Sequence, residues 1–301
     1  MPKGAPYAYQ VKWDGMRLLA SWDGNRLQLV GKSLRDKTAT YPELAILPEL
    51  VKAHSFLLDG ELISLQKGRP SFFTLMRREN SLANGGTALP RIPVYYMVFD
   101  LLQREGIWLL DRPWAARQEL LQNSLQQHDL VHRTQSYADG ENLLEAVAER
   151  GMEGVVAKNK DSFYIPGPRK SSYWIKTKLL QNIEALVGGI YLKEKKPVSL
   201  LLGLDEGPPA DPPNIPPKIP YIGSVSSGLS ETELDSWFQW AKKNEIKEAP
   251  FLNAPPAQTG RSIVWAKPNR HLKVSFSEWT PGLKLRSPRI SHLSSGKELL
   301  P

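Results

Sequence analysis

Ionisable residues stand inside or beside the apolar strand candidates of this chain, and they constrain its fold more than any other feature. The runs YAYQVKW (7–13), FLLDGELISL (56–65), VYYMVFDLL (94–102) and GVVAKNK (154–160) read as strands bounded by Gly, Pro and Asp-Gly turns. Lys12, Glu61, Asp100, Glu153 and Lys158 fall within or next to them. A charge in an apolar strand is costly unless it is paired or meets a ligand. The basic segment SSYWIKTK (171–178) adds Lys176 and Lys178, two residues apart and so on one strand face. The fold has to give these charges partners.

The other elements organise the chain in two parts. MRLLASW (16–22) and NRLQLV (25–30) extend a β-rich beginning. Asp111 is expected to cap a helix over 112–125, with Pro113 tolerated in its first turn. Asp139 is expected to cap a second helix, which Gly151 stops in a left-handed conformation. A boundary near 180–184 gives two expected domains, 1–182 and 183–301. In the second, EALVGGIYLKEK and PVSLLLGL read as hairpin strands, and Ser230 with Glu233 forms a capping box for ETELDSWFQWAKKN. Seven prolines between Pro208 and Pro220 exclude a helix or central strand there and imply a long, stiff loop. Short strands with one helix point to a small barrel.

Composition removes several chemistries. The chain has no Cys, which excludes disulfides, thiol catalysis and cysteine-bearing zinc sites. Five scattered His make a histidine-rich metal centre a poor expectation. No apolar run is long enough to span a membrane, and the N-terminus lacks a signal-peptide core. The expectation is a monomeric cytoplasmic protein without a membrane partner. Lys plus Arg number 39 against 31 Asp plus Glu, and residues 257–301 carry eight basic against two acidic residues. That basic end is either a solubilising surface or one that meets phosphates.

The segment Val11-Lys12-Trp13-Asp14-Gly15-Met16-Arg17 forms a hairpin that can aim an ammonium and a guanidinium at one ligand. As a nucleophile Lys12 has to shed a proton, which neighbouring cations favour and Asp14 opposes. Later segments follow in order: Asp59-Gly60-Glu61, Val98-Phe99-Asp100, Glu153-Gly154-Val155-Val156-Ala157-Lys158 and Trp174-Ile175-Lys176-Thr177-Lys178. Read singly, Glu61 and Glu153 could be salt-bridged sheet residues, Phe99 plain core, and the lysines solvated charges.

As an ordered set these segments resemble the covalent nucleotidyltransferase superfamily of ATP-dependent DNA ligases, RNA ligases and capping enzymes. The likeness is greatest to the ligase module of bacterial non-homologous end-joining ligases, and it covers essentially the whole chain. It implies an α+β fold, an adenylation domain of antiparallel sheets and flanking helices followed by an OB-fold β-barrel. It also implies that Lys12 becomes AMP-linked, that Arg17 contacts ribose or the nick, and that Phe99 stacks on adenine. Glu61 and Glu153 would bind ribose or a divalent metal, Mg²⁺ or Mn²⁺, and Lys176 with Lys178 would neutralise the α-phosphate. Gln10, Val11, Lys32, Lys158 and Lys297 complete the implied ATP contacts, while Asp14 and Asp100 are secondary candidates. The segments Asp36 to Leu44, Ser71 to Leu75 and Tyr164 to Gly167 are similar to those of the end-joining group, as is Phe276 to Thr280.

The sequence departs from the family pattern in several places. Gly31-Lys32-Ser33-Leu34 replaces a usual Ser-Arg-Asn-Gly, losing the guanidinium fork and the glycine. Gln10 replaces a glutamate that meets the adenine amino group, although an amide oxygen still accepts that bond. Near 167–174 one extra residue leaves Arg169 and Lys170 competing for one role. The last motif, usually Leu-Arg-x-Asp-Lys, keeps Lys297 but has Ser294 and Gly296 at its Arg and Asp positions. Reaction with free ATP is therefore expected to be impaired.

The resemblance implies nicked or broken duplex DNA as substrate and a ring-shaped Ku-type protein as a partner, in a bacterial, nucleoid-associated setting. A preference for RNA or mixed ends, or a degenerate repair scaffold, are the alternatives. The resemblance, with the lack of Cys and the early Lys12, leads us to expect ATP rather than NAD as substrate and no DNA-binding domain ahead of Lys12.

Overall fold

The computed structural model describes residues 1–66, 68–83, 92–167, 173–205, 218–253, 255–280 and 282–291. It divides into two compact units, Met1–Leu179 and Leu180–Pro301. In chain order the first unit contains β1 (Tyr7–Val11), β2 (Met16–Trp22), β3 (Leu27–Gly31), β4 (Phe56–Ile63), α1 (Phe72–Ala83), β5 (Tyr95–Arg104), α2 (Trp114–Ser124), β6 (Val131–Arg133), β7 (Ser136–Tyr137), α3 (Gly140–Glu149), β8 (Gly154–Asn159) and β9 (Trp174–Lys178).

Two sheets carry this unit. One is antiparallel in the order β7-β1-β8-β9. Tyr9, Val155 and Ala157 on one of its faces are buried with Leu143 and Val147 of α3. The other runs β3-β2-β4-β5, antiparallel, with β6 beside β5 in parallel. Its apolar face, including Leu18, Leu58, Leu62, Tyr96 and Val98, forms the main core with Tyr41, Leu44 and Leu47. Alternation along a strand then sends Glu61 and Met97, cross-strand partners, to the opposite face.

The helix starts differ from expectation at one end. Asp139 does cap α3, accepting from the amides of Glu141 and Asn142, and Gly151 follows with φ +62°. Asp111 does not cap α2. That helix begins at Trp114, with extended Pro113 in the cap position and no side-chain cap. Its first free amides go elsewhere: Trp114 N donates to Ser162 O at 2.8 Å and Ala115 N to Lys160 O at 2.9 Å. A distant loop satisfies the helix end, so no local cap is needed.

Helix α1 joins two segments that are distant in the sequence. Arg78, buried on α1, donates to both carboxylate oxygens of Glu43 and to Thr40 O at 2.9 Å. Glu79 receives both Lys37 and the Tyr41 hydroxyl. The segment Asp36 to Leu44 is thus clamped to the helix that Ser71 to Leu75 begins.

The turn after β3 holds Leu34 at φ +60° with its side chain 82% exposed. This is the position where the resemblance expects glycine. A left-handed L-residue costs roughly 1–2 kcal/mol, part of which glycine returns through its looser unfolded chain. Leu34→Gly is expected to stabilise the protein by about 1 kcal/mol, read as a higher urea midpoint with unchanged slope.

The second unit contains β10 (Gln181–Lys193), β11 (Lys196–Leu204), β12 (Tyr221–Val225), α4 (Glu231–Lys243), β13 (Arg261–Trp265), β14 (His271–Phe276) and β15 (Arg289–Ile290). The Ser230–Glu233 capping box at α4 is present. The sheet order is β12-β11-β10-β14-β15, with β13 also on β10. The expected closed barrel is not what the described residues form. They make an open half-barrel whose edges stand 17 Å apart. The long β10 shifts register against β11 twice, with Gly188 the extra residue on β10 and Val198 on β11, and it pairs with β14 along its first half and β13 along its last. At the far edge β15 offers only two residues for pairing. Most of the proline run, together with Arg169, Lys170, Ser294, Gly296 and Lys297, lies outside the described residues.

Candidate active site

Register gathers the site. Across the four-stranded sheet Gln10 lies opposite Val156, which lies opposite Lys176. Ala8, Lys158 and Trp174 form the next row, and Gly154 pairs with Lys178. Cross-strand partners share a face. One sheet face therefore presents Gln10, Lys158, Lys176 and Lys178, while α3 covers the other. Lys12 follows β1 directly, its amide bonded to Gly154 O at 2.8 Å. Close approach fixes two glycines here. A Cβ on Gly15 would lie 2.2 Å from Leu62 O, and one on Gly154, at φ +145°, would lie 2.1 Å from Thr177 O.

The centre of the cluster is Glu153, which is buried. One of its oxygens is in contact with the Lys12 ammonium, and the other lies 3.8 Å from Lys178 Nζ. Lys176 completes the cationic edge. Burial, reinforced by the charge of Lys12, lowers the pKa of its ammonium. Glu61 enters from the other sheet. Removal from water pushes its carboxyl up to about 8, and the nearby Glu153 adds to the shift although Lys12 opposes it.

Glu61 and Glu153 fit a hard divalent cation in donor chemistry, because a carboxyl with so little compensation is one that a cation would ionise. Among the described residues no group of three or more acidic or histidine side chains completes a cage. Mg²⁺ tolerates this, since it commonly keeps waters and takes phosphate oxygens. The sign for folding follows from the raised value. The folded state retains a proton that an ordinary carboxyl, near 4.5, gives up, so stability is lost as pH rises from there to about 8. Without metal, Tm is expected to fall across that window, and Glu61→Gln is expected to flatten the fall.

Gln10 is buried and its Nε2 donates to Thr134 O at 3.2 Å and Ser136 Oγ at 3.0 Å. Its Oε1 has no hydrogen-bond partner. A buried, unsatisfied acceptor is expensive, so this atom is suited to receive an N–H from a ligand. Val11, by contrast, packs against the α3 cluster and not on the charged face.

Phe99 occupies a β-bulge. Asp59 pairs with Asp100 and Gly60 with Val98, leaving Phe99 as the extra residue. Bulges re-aim side chains, and here the ring meets Trp174 edge-on at 5.9 Å. Lys158 is buried below these rings, its Nζ 4.6 Å from the Phe99 centroid and 3.9 Å from that of Trp174. Such contacts substitute for part of its hydration. Trp114 and Trp174 were not among the sequence candidates. They form this cage, and only their register and helix placement reveal it.

Arg17 is paired with an acid of the neighbouring strand while its side chain stays partly exposed. Burial opposes its charge, but paired bonds to buried Asp59, at 2.9 and 2.8 Å, outweigh that and raise its pKa. Tyr164 ties both groups, donating to Asp59 at 2.8 Å while its hydroxyl accepts from Arg17. Asp100 is similarly committed, to Arg117. Lys32 is exposed beside the Leu34 turn and is not brought to the cluster by any contact in the described residues. Asp14 stands in the hairpin and contributes to the negative field at Glu61.

Comparison with known proteins identifies the family of the chain. Residues 2–178 match a family described as ATP dependent DNA ligase domain, and residues 193–297 match the ATP dependent DNA ligase C terminal region. The chain is 33% identical over 285 residues to the multifunctional non-homologous end joining protein LigD of Mycobacterium bovis, covering 94% of this chain and 35% of that protein. It is 32% identical over 256 residues to a probable DNA ligase of Streptomyces griseus, covering 82% of this chain and 49% of the relative. The chain therefore spans between a third and a half of the length of these relatives. Among solved structures, a mycobacterial DNA ligase D complexed with ATP and MES matches with a TM-score of 0.53 and 30% identity, covering 96% of this chain and 91% of that one. No helix among the described residues is long and apolar enough to cross a membrane.

Proposed function

The chain belongs to the ATP-dependent DNA ligases, and from that premise we propose that Lys12 is its nucleophile, sealing 5′-phosphate and 3′-hydroxyl ends in double-strand break repair. The observation that supports this reading most is Lys12 held on buried Glu153, in one cluster with Lys176, Lys178 and Glu61. Lys12 Nζ forms a bond to the α-phosphorus of ATP as the bond to the β-phosphate oxygen breaks and pyrophosphate leaves. The proton that Nζ sheds has an acceptor in contact, Glu153 Oε2. A 5′-phosphate oxygen at the break then displaces the lysine and takes the AMP. The 3′-hydroxyl finally attacks that phosphate and AMP departs.

Charge grows on the non-bridging oxygens at each step, and Lys176 and Lys178 are the cations on the same sheet face to meet it. Adenine is read by the free Oε1 of Gln10 and by the face of Phe99. A divalent cation held by Glu61 and Glu153 would draw electron density from the phosphate. The second unit acts as an OB-fold DNA-binding domain, its half-barrel and basic end following the duplex backbone. The likeness to end-joining proteins supports a Ku-type partner.

Ser294 and Gly296 in the last motif make self-adenylylation the weak step. Loss of two charged groups that orient pyrophosphate, each worth what one oxyanion donor is, slows enzyme-AMP formation by roughly 10⁴-fold if the two effects multiply. Sealing of a pre-adenylylated nick is unaffected. The two rates measured side by side test this, and enzyme-AMP formation as fast as sealing rejects it.

A further inference from the structure

Two adjoining cavities of about 690 and 740 Å³ lie in the first unit, apart from the cluster around Glu153. They share Trp13, Met97, His132, Arg150 and Met152 as lining and so form one groove. Arg69 lines the first cavity and Arg133 the second. None of Arg69, Arg133 and Arg150 has a hydrogen-bonded or ion-paired side-chain partner among the described residues. The acids in the lining are Glu149 and Asp139, and Asp139 is already engaged by the amides of Glu141 and Asn142 and by the Asn142 side chain. The groove therefore has an excess of uncommitted guanidinium groups.

Its walls also carry aromatic faces. Trp13 lines both cavities, its indole fixed by a bond from Nε1 to Thr134 Oγ1 at 3.2 Å. The rings of Tyr95 and His132 lie 6.4 Å apart at 33°. Guanidinium groups beside fixed rings in a groove are the chemistry that receives single-stranded nucleic acid, with bases stacked and phosphates paired. The place is suggestive too, because Trp13 directly follows Lys12 and Met97 pairs with Glu61.

We propose that this groove binds a single-stranded overhang of the DNA being joined, holding it clear of the adenylation cluster. The function of that binding rests on the ligase reading above, but the binding itself does not.

The test uses the full chain without ATP and a fluorescent oligothymidylate of about ten nucleotides, within the span such grooves cover. The double variant Arg133→Ala, Arg150→Ala is expected to weaken binding about tenfold and to make the slope of log K against log salt shallower by about 1.4, two contacts' worth. AMP labelling and sealing of a matched nick are expected to stay unchanged. A charge-matched control, Arg26→Ala with Lys52→Ala, is expected to leave affinity within about twofold, since both residues are exposed outside the groove. Photocrosslinking with 5-iododeoxyuridine is expected to mark peptides containing Trp13, Tyr95 or His132.

An equal loss in the control pair, or crosslinks confined elsewhere, overturns the proposal. So does binding of free dTMP with the affinity of the oligomer, which would make the groove a mononucleotide site. Absent AMP labelling together with absent sealing of a pre-adenylylated nick, with intact, arginine-dependent oligomer binding, would reject the ligase reading and leave the groove standing.

Discussion

Lys12→Ala is expected to lose AMP labelling entirely, at least about 10⁴-fold below the unaltered protein, because removal of a covalent nucleophile leaves only binding and charge stabilisation. Lys178 reaches the same carboxylate from a strand two away and occupies its other oxygen, so it approaches the substrate phosphate from a different direction. Lys12→Arg is expected to fail equally, since a guanidinium stays protonated. Sealing of a pre-adenylylated nick needs no lysyl-AMP and is expected to persist in both variants. That contrast separates a lost nucleophile from a collapsed site. Labelling that survived Lys12→Ala would remove Lys12 from the role.

How much of this was legible in the sequence depended on whether a residue's role was local or long-range. Lys12, Glu61, Glu153, Lys176 and Lys178 stood out because charges in apolar strands demand partners, and the structure joins Lys12 and Lys178 through Glu153. Asp139 and the Ser230–Glu233 box were readable because a cap is satisfied within four residues. Asp111 misled for the opposite reason, since the amides of α2 are bonded to carbonyls some 45 residues further along the chain. The bulge that aims Phe99 depends on which residues of β4 and β5 face each other, and composition carries no trace of it. The cage of Trp114 and Trp174 around Lys158 likewise needs a helix, a strand and a sheet register at once. The barrel expectation came from counting short strands, which cannot report whether the sheet's edges meet.

Asp100 illustrates the same limit and yields the largest expected stability effect. In sequence it is one more carboxylate beside a candidate site residue. In the fold it is fully buried and clasped by Arg117, itself fully buried, through two bonds of 2.8 and 2.9 Å. Burial raises the Asp100 pKa, and the Arg117 charge pulls against that. Arg117 also donates to Arg112 O at 2.5 Å and Ser162 O at 3.3 Å. Arg117→Ala would strand a buried carboxylate and two carbonyls together, and is expected to cost about 3–5 kcal/mol, read as a lower urea midpoint. Replacing both partners, Asp100→Leu with Arg117→Met, is expected to recover part of the loss, because no lone charge remains. Recovery stays incomplete while the two carbonyls lack their donor. The effect should reach the site through the bulge, where Asp100 accepts from the Leu101 amide and Gln118 of the same helix donates to Phe99 O. In Arg117→Ala the KM for ATP is therefore expected to rise more than kcat falls. A midpoint shift worth less than about 1 kcal/mol would mean that the pair is relieved by water or by protonation of Asp100.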